Sequence, residues 1–130
     1  MKLKVVKARR SRIKTVDFAA LGFGDYFSDH MLSMEYAKGA WTAPIIIPYG
    51  KFGVYPSLCS FHYGQIVFEG MKAFRAADGI NLFRPRMYLE RLNRSARRLC
   101  IPEVDAESVF EGIVALVKLD RKWIPRAGGH

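Results

Sequence analysis

Hydrophobic positions in the C-terminal half of the chain recur at the spacing of two amphipathic helices. Pro85 suits the first turn of a helix, where a missing N–H has no consequence. Apolar residues then follow at helical spacing, at Tyr88, Leu89, Leu92, Ala96 and Leu99. Asp105 is a suitable N-cap for a second apolar face, at positions 109, 110, 113, 114, 116 and 117. We predict helices over about residues 85–99 and from this cap to about residue 120, with Gly112 costing the second about 1 kcal/mol.

Hydrophobic runs separated by turn-forming residues predict two hairpins earlier in the chain. Residues 29–36 and 41–48 flank the turn-prone segment Ala37-Lys38-Gly39-Ala40 and predict the first hairpin. Pro44 and Pro48 each lack an N–H, which favours a short strand or an edge strand for the second of these runs. Residues 71–76 and 80–83 flank Ala77-Asp78-Gly79 and predict the second hairpin.

The middle of the chain and its overall composition complete the predicted fold. One helical turn is predicted over residues 64–69, ending at Gly70. With 130 residues, 50% hydrophobic and 25% charged, the chain is typical of one folded domain. We predict an α+β fold, in which a small, mostly antiparallel sheet is covered by two helices. The predicted boundaries are 1–17 for a basic N-terminal arm, 18–125 for the domain and 126–130 for the start of an interdomain linker.

The formal charge of +9 is concentrated near the N-terminus, where seven of the 21 basic residues precede the first acidic residue, Asp17. A solvated or frayed arm is the simplest interpretation. Attraction to nucleic acid or to a membrane surface, and an acidic partner domain outside this chain, are the alternatives. The arm lacks the apolar core of a secretory signal, and no apolar run approaches the ~20 residues of a membrane span. We expect a cytoplasmic protein without a membrane partner.

Few residues have the spacing of a known metal or catalytic site. Cys59 and Cys100 are too few for a thiolate metal site or a disulfide scaffold, so we predict buried, reduced thiols. His30 and His62 lack metal-ligand spacing, and Asp29 and His30 on a strand would point to opposite faces. No metal site is predicted. Residues 21–24 lack the third glycine of a dinucleotide-binding loop, and no nucleophile–histidine motif is present.

Arg91 is the first candidate for ligand binding. It lies at the margin of the apolar stripe of its predicted helix, where a guanidinium can reach a cleft and bind an anion such as phosphate. The alternative is an ordinary solvated arginine, because the same helix carries four others, Arg86, Arg94, Arg97 and Arg98.

Three aromatic residues and one lysine are further candidates. Phe23, Tyr63 and Phe68 lie beside glycines, where a bent backbone can leave a ring facing a cavity, although ordinary core packing is the alternative. Lys72 lies among apolar residues and is a candidate for Schiff-base formation. Its predicted mid-strand position favours a structural ion pair instead, with Glu69 or with a cofactor group.

Six short motifs follow one another along residues 21–125. They are Phe23-Gly24, Ser28-Asp29-His30-Met31, His62-Tyr63-Gly64, the run from Phe68 to Arg75, Leu82-Phe83-Arg84-Pro85, and Arg91-Leu92-Asn93-Arg94-Ser95. In this order they resemble the N-terminal small domain of branched-chain amino acid aminotransferases, which are pyridoxal-phosphate enzymes of fold type IV.

The resemblance implies transfer of the amino group of leucine, isoleucine or valine to 2-oxoglutarate through pyridoxal 5'-phosphate. It implies that Arg91 binds the cofactor phosphate and that Phe23, Tyr63 and Phe68 line the substrate pocket. In the family this tyrosine reaches across the interface of a homodimer. Lys72 does not match the lysine that carries the cofactor, which belongs to the family's large domain.

We therefore expect no catalytic residue within this chain and a missing large domain as its partner. We also expect that the chain alone neither retains the cofactor nor turns over substrate. Two alternatives remain open. A lyase of the same fold type matches fewer of the motifs. A stand-alone protein-interaction or nucleic-acid-binding module would use an exposed apolar face and the basic arm, although nucleic acid is not the expected partner.

Overall fold

A computed structural model describes residues 3–126 of the chain. Within these residues, seven short strands form three separate sheets. The strands are β1 (Lys4–Val5), β2 (His30–Ser33), β3 (Tyr36–Ala37), β4 (Ala40–Trp41), β5 (Ile45–Pro48), β6 (Ala73–Ala76) and β7 (Gly79–Leu82). One sheet has the order β1-β5-β2, and the other two are the hairpins β3–β4 and β6–β7. Only β1 and β5 are parallel. The predicted linker, apart from Arg126, lies outside the described residues.

Three α-helices accompany these sheets in the described part of the chain. They are α1 (Cys59–Tyr63), α2 (Pro85–Arg98) and α3 (Ala106–Leu119), with 3-10 turns at Ile13–Thr15 and Arg121–Trp123. The two predicted long helices are confirmed, and the Asp105 side chain caps α3 by accepting a hydrogen bond from the N–H of Ser108. The helical turn predicted over residues 64–69 is wrong. A short helix lies just before this segment instead, because α1 ends at Gly64, which adopts a left-handed φ of 61°.

The predicted first hairpin is confirmed in its main pairing. Strand β2 runs antiparallel to β5, with Leu32 opposite Ile46, and β3–β4 form a smaller hairpin between them. The second strand is short, as predicted, but the edge position is wrong because β5 is the central strand. Its prolines do not interrupt the ladder, since Pro44 lies before the strand and Pro48 is its last residue.

The predicted second hairpin is also confirmed. Strands β6 and β7 are joined by the two residues Ala77 and Asp78, and Ala76 pairs with Gly79. Glycine suits this position because its φ is +149°. The α+β class is confirmed, whereas the single predicted sheet is divided into three.

The core lies where α2 and α3 pack together and α3 crosses β2 and β5. Its buried apolar side chains are Ile46, Leu89, Ala96 and Val109. Gly112 makes the close approach of α3 to this sheet possible. A Cβ there would lie 2.9 Å from both terminal methyl carbons of Leu32 and 3.4 Å from Cβ of Pro44. Close packing of α3 on the sheet therefore explains the glycine at this position, although glycine lowers the helix propensity of α3.

The basic N-terminal segment is solvated but not frayed. Its backbone continues past β1, because the N–H of Val6 donates to the carbonyl oxygen of Ile46 at 2.8 Å. The backbone N–H of Arg12 donates to Oδ1 of Asp29 at 2.8 Å. Of the two predicted alternatives, a solvated or a frayed arm, the structure supports the solvated one. Its basic side chains are nevertheless exposed, namely Lys4, Lys7, Arg9, Arg10, Arg12 and Lys14. The domain boundary at residue 17 stays a prediction.

A buried polar cluster ties this segment to the end of α3. Nδ1 of His30 donates a hydrogen bond to Oδ1 of Asp120 at 2.6 Å, and its Nε2 accepts a hydrogen bond from the N–H of Ala8 at 2.9 Å. Because Nε2 is an acceptor, the ring proton is on Nδ1. Asp29 accepts from the indole N–H of Trp123 at 3.0 Å. Thus Asp29 and His30 are both buried but bind different partners.

The pKa of Asp29 reflects this environment. Burial opposes its ionisation, but hydrogen bonds from Ser11, Arg12 and Trp123 outweigh that effect and lower the pKa. Asp29 is therefore a structural carboxylate that holds the N-terminal segment and the chain after α3 to the same strand.

Candidate active site

An apolar cavity of about 830 Å³ opens beside the β6–β7 hairpin. Its lining residues are Phe23, Gly70, Met71, Lys72, Phe74, Asn81, Leu82, Phe83 and Tyr88. Mostly apolar walls with a few polar side chains are typical of small-molecule sites. A second cavity, of about 940 Å³, lies between this hairpin and α3 and is lined by none of the four predicted binding residues.

Of the four predicted binding residues, Phe23 alone lines the first cavity. Arg91 does not, but its Cζ lies 5.1 Å from the centre of the Tyr88 ring, which does line it. Tyr63 ends α1 and Phe68 lies in the following loop, and neither lines this cavity. All three predicted aromatic residues have at least 85% of their surface exposed. Their roles in binding stay predictions.

Arg91 is held by a bidentate ion pair with Glu69. Nε of Arg91 donates to Oε2 of Glu69 at 2.6 Å, and Nη2 donates to Oε1 at 2.5 Å. The carboxylate side chain is 13% exposed, whereas the arginine side chain is 56% exposed. Hydrogen bonding to Arg91 lowers the pKa of Glu69 to about 2, with a smaller contribution from the N–H of Gly70. Glu69 is therefore ionised at neutral pH and charge-paired with Arg91.

The donors of Arg91 leave room for a second anion. A guanidinium has five N–H donors in a planar fork, and Glu69 occupies the edge formed by Nε and Nη2. Within residues 3–126, Nη1 makes no hydrogen bond, so the edge formed by Nη1 and Nη2 can bind another group. A phosphate monoester fits this donor set because planar guanidinium edges bind phosphate oxygens bidentately. The residue chemistry is therefore compatible with the predicted phosphate ligand.

Lys72 differs from its predicted placement. It lies one residue before β6 and is exposed at the cavity wall. The predicted ion pair with Glu69 is wrong, because Glu69 binds Arg91 instead. Sequence reasoning missed the Glu69–Arg91 pair since its members are 22 positions apart and Glu69 lies in an irregular segment.

The two thiols also differ from expectation. Cys59 and Cys100 are free, but both are exposed, so the prediction of buried thiols is wrong. Cys59 begins the short helix α1, and Cys100 follows α2 at a left-handed turn with φ of 54°. Both lie where the chain changes direction at the surface. Among the described residues, no group of three or more His, Cys, Asp or Glu side chains could hold a metal ion. No helix between residues 3 and 126 is long and apolar enough to cross a bilayer.

Comparisons with known proteins identify relatives of this chain, although no protein-family model matches it. It is 47% identical to branched-chain-amino-acid transaminase 1 of Bacillus subtilis over 115 residues, which is 87% of this chain and 32% of that protein. It is 51% identical to branched-chain-amino-acid aminotransferase 2 of the same organism over 112 residues, or 84% of this chain and 31% of the relative.

A third relative covers the chain from end to end. Identity to a probable branched-chain-amino-acid aminotransferase of Staphylococcus epidermidis is 44% over 132 aligned positions, which is 100% of this chain and 37% of that protein. The chain thus spans about a third of the length of the curated relatives it matches. The resemblance stated from the motifs is confirmed: this chain is related to the branched-chain-amino-acid aminotransferases over most of its own length and about one third of theirs.

Proposed function

We propose that this chain forms part of a branched-chain-amino-acid aminotransferase and contributes one wall of its active site. The observation that carries this proposal is identity of 47% and 51% to two such enzymes over 87% and 84% of the chain. The proposed reaction transfers the amino group of leucine, isoleucine or valine to 2-oxoglutarate, in the cytoplasm. Pyridoxal phosphate, when bound, supplies an electron sink and carries the amino group. The lysine that holds it is proposed to belong to a large domain, as the resemblance to the family implies.

Arg91 is the proposed ligand of the cofactor phosphate. Its charge is permanent, and its free Nη1–Nη2 edge matches the geometry of phosphate oxygens. The proposed role is binding and orientation alone, because an always-protonated guanidinium does not exchange protons at neutral pH. One phosphate ligand is a weak anchor, so we propose that the chain alone binds the cofactor reversibly and does not retain it through purification.

Phe23, Tyr63 and Phe68 are the proposed walls of the substrate pocket. Their exposure supports this role, since large aromatic rings left in water mark surfaces that a partner covers. In the proposed enzyme, the large domain and a second subunit of a homodimer cover them. An apolar wall favours aliphatic side chains, because each buried CH₂ contributes about 0.8 kcal/mol.

A chimeric enzyme tests the proposed function. The segment of the Bacillus subtilis aminotransferase 2 that matches this chain is replaced by the corresponding segment of this chain, which is 84% of its length. We expect the chimera to transaminate leucine with 2-oxoglutarate, because half of the replaced positions are identical. The measurement is the rate of glutamate formation, and the spectrum of the bound cofactor reports whether the site is assembled.

Variants at two neighbouring arginines give this test its control. Arg91→Ala in the chimera should weaken cofactor binding strongly, whereas Arg94→Ala, on the same helix, should leave it near the unsubstituted value. A folded chimera that binds no cofactor, or one in which both substitutions have equal effects, would contradict the proposal.

A second candidate function rests on the basic segment. Five exposed cations, at Lys4, Lys7, Arg9, Arg10 and Lys14, belong to no salt bridge within residues 3–126. A stand-alone module that binds nucleic acid would use these charges, and its affinity would fall steeply with salt. Tight and strongly salt-dependent binding of this chain to a DNA duplex, combined with an inactive chimera, would favour this function over the enzyme.

A further inference from the structure

Helix α2 carries three arginines in bidentate pairs with glutamates, and one pair differs from the other two. The pairs are Arg86–Glu107, Arg91–Glu69 and Arg97–Glu103. The carboxylates of Glu107 and Glu103 are 56% and 42% exposed, whereas that of Glu69 is only 13% exposed. Glu69 is therefore more enclosed by its surroundings than the other two glutamates and has less room for other side-chain conformations.

An enclosed carboxylate restricts the orientation of the guanidinium that it binds. Glu69 takes two donors on one edge of Arg91, at 2.6 and 2.5 Å, which defines the plane of the group as well as its position. The face of the same guanidinium lies against Tyr88, with 5.1 Å between Cζ and the ring centre. The Arg91 side chain is thus constrained at one edge and one face, although 56% of it is exposed.

The constrained guanidinium lies next to the apolar cavity, because Tyr88 is one of the residues that line it. An arginine that binds an anion without such support loses the freedom of several rotatable bonds when the ligand arrives. Arg91 has already lost much of that freedom to Glu69 and Tyr88. Its remaining Nη1–Nη2 edge is therefore preorganised for an anionic group.

We propose that Glu69 is a positioning residue, which holds Arg91 so that its free edge receives a phosphate monoester. This inference rests on the proposed function, which makes Arg91 the phosphate ligand, and it adds the residue that prepares that ligand. Glu69 touches no substrate or cofactor in this scheme. It acts only through the arginine.

The competing interpretation is that Glu69 occupies the site and competes with the phosphate. The two interpretations predict opposite effects of removing its charge. If Glu69 competes with the phosphate for Arg91, or merely repels the phosphate, the phosphate should bind more tightly after Glu69→Gln. Repulsion at ~6 Å between a carboxylate and a phosphate monoester of charge about −2 changes affinity by about tenfold in water, and physiological salt reduces this to about threefold. If Glu69 positions Arg91, the phosphate should bind about two- to tenfold more weakly after Glu69→Gln, because the long arginine side chain is no longer held.

The experiment is a titration of this chain with pyridoxamine 5'-phosphate at ~0.15 M salt, where the Debye length is about 8 Å. This probe carries the phosphate but has no aldehyde that would react with lysines. Millimolar affinity is measured by the shift of the Nε–H resonance of Arg91 and of nearby backbone amides. The variants are Glu69→Gln, Arg91→Ala and Glu103→Gln. Glu103→Gln removes the same charge from a bidentate pair on the same helix and so measures the general effect of charge.

We expect that Glu69→Gln raises the Kd about threefold or more relative to Glu103→Gln. We also expect the Arg91 Nε–H of this variant to exchange faster with water than in the unsubstituted chain. Backbone amides remote from residue 69 show whether the variant is folded. Should that variant unfold, Glu69→Asp replaces it, since a shorter carboxylate keeps the charge but alters the position of the guanidinium.

The outcomes separate failure of this inference from failure of the proposed function. If the unsubstituted chain binds the probe, Arg91→Ala abolishes binding and Glu69→Gln binds as tightly as Glu103→Gln or more so, the phosphate role of Arg91 stands and the positioning role is overturned. If the unsubstituted chain and Arg91→Ala give the same titration, the phosphate role is overturned and the positioning role falls with it.

Discussion

Asp120, the residue after α3, accepts two hydrogen bonds from His30 at the start of β2. The backbone N–H of His30 lies 2.9 Å from Oδ2, and its Nδ1 lies 2.6 Å from Oδ1. The other ring nitrogen accepts a hydrogen bond from the N–H of Ala8. One imidazole therefore joins three parts of the chain that are far apart in sequence, and both side chains of the pair are buried.

We predict that Asp120→Ala lowers the free energy of unfolding by about 2–4 kcal/mol, because two buried donors of His30 lose their acceptor. Urea unfolding of the substituted and unsubstituted chains measures the difference. Glu111→Ala, an exposed carboxylate on α3, is the control and should change stability by no more than about 0.5 kcal/mol. Equal effects of the two substitutions would show that the buried pair contributes nothing specific.

We predict that Gly112→Ala destabilises the chain by about 1 kcal/mol despite the better helix propensity of alanine. The propensity gain is about 1 kcal/mol. It is opposed by a Cβ at 2.9 Å from both terminal carbons of Leu32, and such overpacking costs about 1–3 kcal/mol. The measurement is thermal or urea unfolding. In a Leu32→Ala background, the space is open and the same substitution should stabilise the chain; a cost that persists there would exclude the contact as its cause.

We predict that the stability contributed by the Glu69–Arg91 pair depends on pH in the acidic range. The pKa of Glu69 is about 2 in the folded chain, against an ordinary value of 4.5. Because the unfolded state takes up a proton first as pH falls, this contribution is complete above about pH 4.5 and is lost progressively toward about pH 2. The measurement is the difference in unfolding free energy between the unsubstituted chain and Glu69→Gln at several pH values.

A second background isolates the ion pair in that pH experiment. With Arg91→Met, the carboxylate loses the partner whose hydrogen bonds lower its pKa most. The effect of Glu69→Gln should then vary much less across the same pH range. A difference that is the same at pH 3 and pH 7 in the unsubstituted background would be inconsistent with the pair.

We predict that both thiols react with a soluble disulfide reagent in the folded chain. Cys59 and Cys100 are exposed, so reagent access does not require unfolding. Release of two equivalents of chromophore without denaturant is the expected result, and Cys100→Ser should reduce it to one. Thiols that react only after denaturant is added would agree with the buried placement expected from sequence and contradict the structure.

The helices and hairpins were predictable because local interactions determine them. The periodicity of apolar residues, Pro85 at the start of α2 and the Asp105 cap of α3 each act within a few positions of the chain. The β6–β7 turn follows from Gly79, which takes a φ that other residues avoid. The one misplaced helix, α1, is only one turn long, and so short a segment has almost no periodicity to detect.

Pairings between distant segments were not predictable in the same way. The central position of β5 depends on β1, whose two residues have no strand pattern of their own and pair about 40 positions away. The sequence indicated Arg91 as an anion ligand but not its partner, because Glu69 lies in an irregular loop whose path is set by tertiary packing.

The sequence by itself determined the α+β class, the two long helices, the hairpin turns and the relationship to aminotransferases, since each depends on short motifs or local periodicity. Only the tertiary structure decided which charges meet, which thiols reach solvent and why α3 requires Gly112. Those properties depend on the distances between atoms that packing brings together, and one-dimensional spacing does not encode these distances directly.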